Sequence, residues 1–151
     1  MDKLEIKTSI GILKPVQDVF ENIVNPQKMS NYFIAESTGP METGKTVNWK
    51  WPEFDARFDV QVKDVRPNQF ISFTWPAESG ESMLVEITLE ELPGNATKVI
   101  VTEKEQPNNE AGIKWLKGNT EGWANFLACL KAFSEYGINL RKGAFDFMSD
   151  D

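Results

Sequence analysis

The spacing of hydrophobic side chains changes once, close to the end of the chain. Between roughly residues 44 and 104, apolar and polar side chains alternate as they do in short, half-buried strands. Beyond residue 109 the apolar side chains recur every three or four residues, as on one face of a helix: Trp123, Phe126, Leu127, Leu130 and Phe133. A helix that follows a run of strands has only their sheet to cover. We therefore expect an α+β fold in which a sheet encloses the apolar face of a long carboxy-terminal helix, an arrangement that can hold a ligand.

The first half of the chain predicts a strand followed by two short helices. Apolar side chains alternate over residues 4–12, and Pro15 stands where a first helical turn tolerates the missing N–H. The helix that follows is expected to end at Asn25-Pro26, because a residue before proline is disfavoured in the helical conformation. A second short helical turn is expected over residues 26–31.

The middle of the chain predicts an antiparallel sheet of about six or seven strands, counting the first. Its strands are expected at residues 47–51, 54–62, 71–75, 83–89 and 97–103, with turns at Pro67-Asn68, Ser79-Gly80 and Pro93-Gly94-Asn95. Short strands joined by tight turns favour antiparallel pairing over crossover connections. One face of each strand should then be dry and the other wet.

The carboxy-terminal region predicts a long helix and a tail. The helix is expected to end at Gly137, which suits a left-handed cap, and Gly118 predicts a break near its front. Residues 1–137 are expected to form one domain. The tail, residues 138–151, still carries apolar side chains, so we expect it either to dock on the body or to form a homodimer contact.

Composition excludes several classes of partner. The net charge of −7 repels nucleic acid and anionic membranes. The sequence contains no apolar run long enough for a membrane span, and its amino terminus lacks the apolar core of a signal peptide. The lone Cys129 is expected to be a packing residue in a reducing, cytoplasmic environment.

The residue inventory also argues against catalysis. The chain has no histidine and one cysteine, which removes imidazole bases, paired nucleophiles and the usual zinc sites. Asp55 and Asp59 are expected on the wet face of a strand, and Glu103 and Glu105 in a solvated loop after the last strand. We therefore predict no catalytic residue, no metal and no cofactor.

Aromatic side chains are the remaining functional signal, with five Trp, ten Phe and two Tyr. Ligand pockets are concave and mostly apolar, although the same side chains could instead fill the interior completely. The residues that we predict to line a ligand cavity are Met29, Phe33, Trp51, Phe58, Phe73, Trp75, Met83, Trp115, Trp123 and Phe126. Among them, Trp123 is expected to serve mainly in the core between helix and sheet.

The order of these elements resembles the helix-grip fold of the START-like (Bet v 1-like) superfamily. Its closer resemblance, over about residues 3–137, is to the family named after the activator of Hsp90 ATPase homologue 1. The residues that carry this resemblance are Lys14-Pro15-Val16, Val19-Phe20, Asn25-Pro26, Met29, Gly44, Val47, Val65-Arg66-Pro67, Phe73-Thr74-Trp75, Thr97-Lys98-Val99, Gly122-Trp123, Phe126-Leu127 and Leu130-Lys131.

The resemblance implies a cavity between the sheet and the last helix, but it does not imply a reaction. Relatives include ligand carriers, cyclase-like enzymes and co-chaperone domains. Our first hypothesis is non-catalytic binding of a small hydrophobic or aromatic ligand. The alternative is an Hsp90-type co-chaperone or protein-interaction domain. A third is a cyclase-like enzyme that uses a carboxylate or a tyrosine in the cavity.

Overall fold

The computed structural model describes residues 2–149. Its elements, in chain order, are β1 (Lys3–Ile12), α1 (Val16–Val24), α2 (Pro26–Met29), β2 (Glu36–Ser37), β3 (Thr46–Lys50), β4 (Arg57–Arg66), β5 (Phe70–Pro76), β6 (Ser82–Leu92), β7 (Ala96–Pro107) and α3 (Glu110–Tyr136), followed by a short 3-10 turn (Asp146–Met148). The predicted strand, pair of short helices, strands and long final helix are therefore confirmed in order.

Within the described residues, seven strands form one antiparallel sheet in the order β1-β7-β6-β5-β4-β3-β2. Each strand from β3 to β7 pairs with the one before it, and β1 closes against β7. Register shifts occur at Leu4/Glu5 and at Val62/Asp64, and such bulges bend a strand locally. The sheet is curved and α3 lies in its concave face, so the predicted helix-grip fold is confirmed.

Helix α3 is capped at both ends. Asn109 accepts a hydrogen bond from the backbone N–H of Gly112 at 2.8 Å, as an N-cap does. Gly137 takes a left-handed φ of 67° and donates its N–H to the carbonyl of Phe133, which confirms the predicted C-cap. The helix continues through Gly118 without a break, so the predicted interruption there is wrong. One helical glycine costs about 1 kcal/mol, which the burial of Trp123 and its neighbours on the sheet can offset.

The strand bounds differ from the sequence prediction around residue 54. Strand β4 begins at Arg57, so Trp51 and Phe54 belong to the connection between β3 and β4 and not to strands. This connection places Glu53 in a buried position at the edge of the shell. Strand β7 runs to Pro107 and therefore contains Glu103.

The first turn of α3 lies unusually close to the end of β7. A Cβ atom at Gly112 would stand 1.9 Å from the carbonyl oxygen of Pro107, so only glycine fits there. This close approach fixes where the helix enters the shell. Each helix within residues 2–149 is too short or too polar to cross a bilayer.

Candidate ligand-binding site

Two adjoining cavities lie between the sheet and the amino-terminal half of α3. The larger has a volume of about 570 Å³ and is lined by Trp51, Phe58, Trp75, Pro76, Ala77, Glu78, Ser79, Glu103, Gln106, Ala111, Lys114, Trp115, Gly118 and Asn119. The smaller, of about 310 Å³, is lined by Phe33, Trp51, Phe54, Trp75, Gly118, Asn119, Gly122, Trp123 and Arg141. Trp51, Trp75, Gly118 and Asn119 belong to both linings and so form the wall between the cavities.

The aromatic rings of this wall and their neighbours contact one another in tilted and edge-to-face arrangements. Trp51 lies 5.3 Å from Phe58 and 5.9 Å from Trp75, measured between ring centroids. Trp75 in turn lies 5.4 Å from Trp123 on α3. Tilted and edge-on pairs at these distances are favourable beyond the area that they bury. The cavities therefore have rigid aromatic sides.

Glu103 is buried behind this wall, contrary to the prediction of a solvated loop position. It exposes 0% of its surface although it borders the larger cavity. Its Oε1 accepts hydrogen bonds from Trp123 Nε1 at 2.8 Å and Asn119 Nδ2 at 3.0 Å, and its Oε2 accepts one from Trp75 Nε1 at 2.9 Å. The carboxylate thus ties the helix to the sheet and sets the orientation of two indoles.

The sequence contained a signal for this position. Residues of one strand that are two apart share a face, and Glu103 has the same parity as the buried Val99 and Val101. Ending the predicted strand at residue 103 hid that signal, because a terminal glutamate is usually solvated. The prediction that Glu103 is solvated was therefore wrong because it followed the usual exposure of glutamate and not the periodicity of the strand.

Trp115 differs from Trp75 and Trp123, the two indoles near the cavities that donate to Glu103. Its Nε1 atom is buried and has no hydrogen-bond partner within residues 2–149. An unpaired buried N–H is costly, so it is uncommon in native proteins. The larger cavity is therefore bordered by an indole whose N–H finds no acceptor among the described residues.

The segment after α3 closes one side of the smaller cavity. Arg141 donates to Glu53 twice, from Nη2 to Oε1 at 2.8 Å and from Nε to Oε2 at 3.1 Å. Its guanidinium also lies 5.9 Å from the ring of Phe33 and 4.8 Å from that of Phe145. The part of the tail up to residue 149 that carries Arg141 is thus held against the body in this chain.

The Tyr32 hydroxyl and the Cys129 thiol, which could in principle take part in catalysis, are both buried outside the cavity linings. The hydroxyl of Tyr32 donates to the carbonyl of Asn22 at 2.8 Å, and burial followed by the nearby Cys129 raises the pKa of Tyr32 well above its usual value. Burial also raises the pKa of Cys129, as in a packing cysteine. Asp55 and Asp59 are exposed, as predicted.

The structure divides the ten predicted lining residues into two groups. Those that line one or both cavities are Phe33, Trp51, Phe58, Trp75, Trp115 and Trp123. The others lie in the packed core, at 3% exposure or less: Met29, Phe73, Met83 and Phe126. Sequence reasoning missed Asn119, Gly118 and Arg141 in these linings. Helical spacing relates Gly118 and Gly122, but no local pattern indicates the contact of Arg141.

Comparisons with known proteins agree with this architecture. The sequence profile of the family described as "Activator of Hsp90 ATPase homolog 1-like protein" matches residues 14–135. The crystal structure of protein SSP2350 from Staphylococcus saprophyticus is similar with a TM-score of 0.81 and 33% identity, over 91% of this chain and 96% of that one. No curated protein matches the sequence.

Two further structures share the fold at lower identity. The Aha1 dimer from Colwellia psychrerythraea has a TM-score of 0.76 and 19% identity, over 89% of this chain and 98% of that one. DynU16, from the dynemicin biosynthetic locus, has a TM-score of 0.77 and 23% identity, and the match covers 89% of this chain and 48% of DynU16.

Proposed function

The chain belongs to the activator of Hsp90 ATPase homolog 1-like family, and from that premise we propose that it binds a small hydrophobic or aromatic ligand without converting it. The observation that carries this proposal is the larger cavity of about 570 Å³, whose sides are the rings of Trp51, Phe58, Trp75 and Trp115. Its volume lies within the range of small-molecule sites, which are typically apolar with a few polar groups.

Two glycines of α3 leave space where the helix borders the cavities. Gly118 and Gly122 are exposed at the linings, and a Cβ atom at either would meet no atom within 4 Å. Alanine at each position would favour the helix by about 1 kcal/mol, so glycine there lowers stability and leaves space. Such a loss of stability is common at sites that must accommodate a ligand.

Binding without catalysis suits the polar groups at the site. The oxygens of Glu103 already accept three hydrogen bonds and are covered, and the Tyr32 hydroxyl is occupied by a backbone carbonyl. A general acid or base must reach the substrate within hydrogen-bonding distance. The cyclase-like hypothesis is accordingly ranked below ligand binding.

A ligand screen tests the proposal. We would record the thermal unfolding midpoint and tryptophan fluorescence against a panel of lipids and polycyclic aromatic compounds. A ligand at a hundred times its Kd adds about 2.7 kcal/mol to the free energy of unfolding. Phe58→Asp should abolish the saturable response while circular dichroism shows an intact fold. The matched control is Phe147→Asp, because Phe147 is 79% exposed and borders neither cavity. Retained binding of an uncharged ligand by a folded Phe58→Asp variant would contradict the proposed site.

The family description also favours a second candidate, an Hsp90-type co-chaperone or protein-interaction domain. This function would use the surface of the protein, so Phe58→Asp should leave it intact. The measurement is the ATPase rate of an Hsp90-type chaperone with increasing amounts of the wild-type protein. Homodimer formation is part of the same proposal, and sedimentation equilibrium tests it directly. An unchanged ATPase rate at saturating protein would reject this candidate.

A further inference from the structure

We infer that the ligand of the larger cavity is an organic cation, an amine or quaternary ammonium group attached to an apolar body. This inference rests on the proposed ligand-binding function and specifies its chemistry. It comes from the juxtaposition of a buried carboxylate, Glu103, with the rings of Trp51, Phe58, Trp75 and Trp115 around one cavity.

The carboxylate of Glu103 has no positive partner within residues 2–149. Its three hydrogen-bond donors, Trp75, Asn119 and Trp123, are all neutral. The next residue, Lys104, lies on the opposite face of β7, where it contacts Glu5 and Glu86. Buried charges are ordinarily paired, because removing them from water is costly. A cation in the adjoining cavity would supply the missing countercharge.

Glu103 would act on such a ligand through the aromatic wall. Because none of its surface is exposed, a ligand would not contact its oxygens directly. The carboxylate accepts the indole N–H of Trp75 at 2.9 Å, and hydrogen bonds in a low-dielectric interior polarise their partners. The negative face of an indole attracts cations, and this hydrogen bond makes the ring more electron-rich. Glu103 is thus a positioning residue that also sets the sign of the cavity's field.

The exposed charges at the cavity do not reverse this sign. Glu78 lines it from the loop between β5 and β6 and Lys114 lines it from α3, and both are exposed, where water and salt screen them. The whole chain has a net charge of −7. The charge that is buried at the cavity is therefore the negative charge of Glu103.

Three probes of the same shape test the inference: 4-phenylbutylammonium, 4-phenylbutan-1-ol and 4-phenylbutyrate. Titrations of wild-type protein would follow tryptophan fluorescence excited at 295 nm, in 0.15 and 0.5 M salt. We expect the ammonium compound to bind at least tenfold more tightly than the alcohol, and the carboxylate most weakly. Salt should change this ratio little, because a buried charge is screened less than a surface charge.

Variants separate the charge of Glu103 from its structural role. In Glu103→Gln, the affinity for the ammonium compound should exceed that for the alcohol by less than threefold. In Glu103→Asp, which retains the negative charge, the preference should remain at least tenfold. Glu90→Gln makes the same change of net charge at an exposed site of β6 and should leave the ratio unchanged. If Glu103→Gln fails to fold, Phe58→Leu provides the test. This substitution removes an aromatic face, so it should weaken binding of the ammonium compound more than that of the alcohol.

The outcomes are distinct. Equal affinities for the ammonium compound and the alcohol, or tightest binding of 4-phenylbutyrate, would overturn the inference and leave the proposed function standing. An unchanged ratio in a folded Glu103→Gln variant would also overturn it. Absence of saturable binding by all three probes would count against both the inference and the proposed ligand cavity.

Discussion

Arg141 holds the carboxylate of Glu53 through two hydrogen bonds across 88 residues of sequence. Only 13% of the Arg141 side chain and 2% of the Glu53 side chain are exposed. The pair joins the segment after α3 to the connection between β3 and β4, beside the smaller cavity. A two-point contact of this kind fixes orientation as well as distance.

Arg141→Met should therefore destabilise the protein by about 3 kcal/mol, because it leaves Glu53 buried without a partner. The double variant Glu53→Gln/Arg141→Met should be less destabilised, since it retains no buried charge. Urea unfolding followed by circular dichroism measures both. Lys142→Met is the matched control, being an exposed neighbour with the same loss of charge. A double variant that is less stable than Arg141→Met alone would contradict this account.

Two tryptophans offer a matched comparison of a satisfied and an unsatisfied indole. Trp123→Phe removes the N–H that donates to Glu103, and a hydrogen bond to a charged group contributes about 1.5–3 kcal/mol. Trp115→Phe removes an N–H that has no partner within the described residues, so its hydrogen-bonding cost should be close to zero. Urea unfolding should show that Trp123→Phe is clearly less stable than Trp115→Phe. Equal losses would show that ring volume, not the Glu103 bond, dominates.

The parts of this fold that local periodicity encodes were predictable, and the parts that distant contacts determine were not. Gly137 could be identified as the helix end because a left-handed cap needs glycine. The continuity of α3 through Gly118 depends on tertiary packing, which overrides a local propensity of about 1 kcal/mol. The contact of Arg141 with Glu53 left no local trace in the sequence. The periodicity of β7 indicates that Glu103 points to the inner face of the sheet. Its burial could not be predicted, because a glutamate is usually exposed to solvent.

Glu135 predicts a specific dependence of stability on pH. Its burial opposes ionisation, but the N–H of Leu13, at 2.8 Å, and the ammonium of Lys131 outweigh that effect and hold the pKa of Glu135 below its usual value. A carboxyl whose pKa is lower in the folded state stabilises that state above its unfolded pKa of about 4.3, and this contribution disappears as pH falls through the folded pKa.

The free energy of unfolding of Glu135→Gln should consequently fall below that of the wild type at pH 7 and approach it at about pH 3. Urea unfolding at both pH values measures the two differences. Glu121→Gln changes an exposed carboxyl of the same helix and serves as the control. A difference between Glu135→Gln and wild type that stays constant over this range would refute the assigned cause of the lowered pKa.

Two glycines of α3 differ in whether the fold requires them. Gly112→Ala should disrupt the helix start, because its Cβ would collide with the carbonyl of Pro107. Gly118→Ala should instead raise the free energy of unfolding by about 1 kcal/mol, as alanine favours a helix and meets no atom within 4 Å. The same methyl group enters the wall shared by both cavities, so ligands that fill this region should bind more weakly to the more stable protein. Urea unfolding and ligand titration, measured on the same preparation of Gly118→Ala, test whether stability rises while affinity falls. If Gly118→Ala gained stability and kept full affinity for such ligands, the glycine would not be serving the cavity, and the case for an open binding site would lose one of its supports.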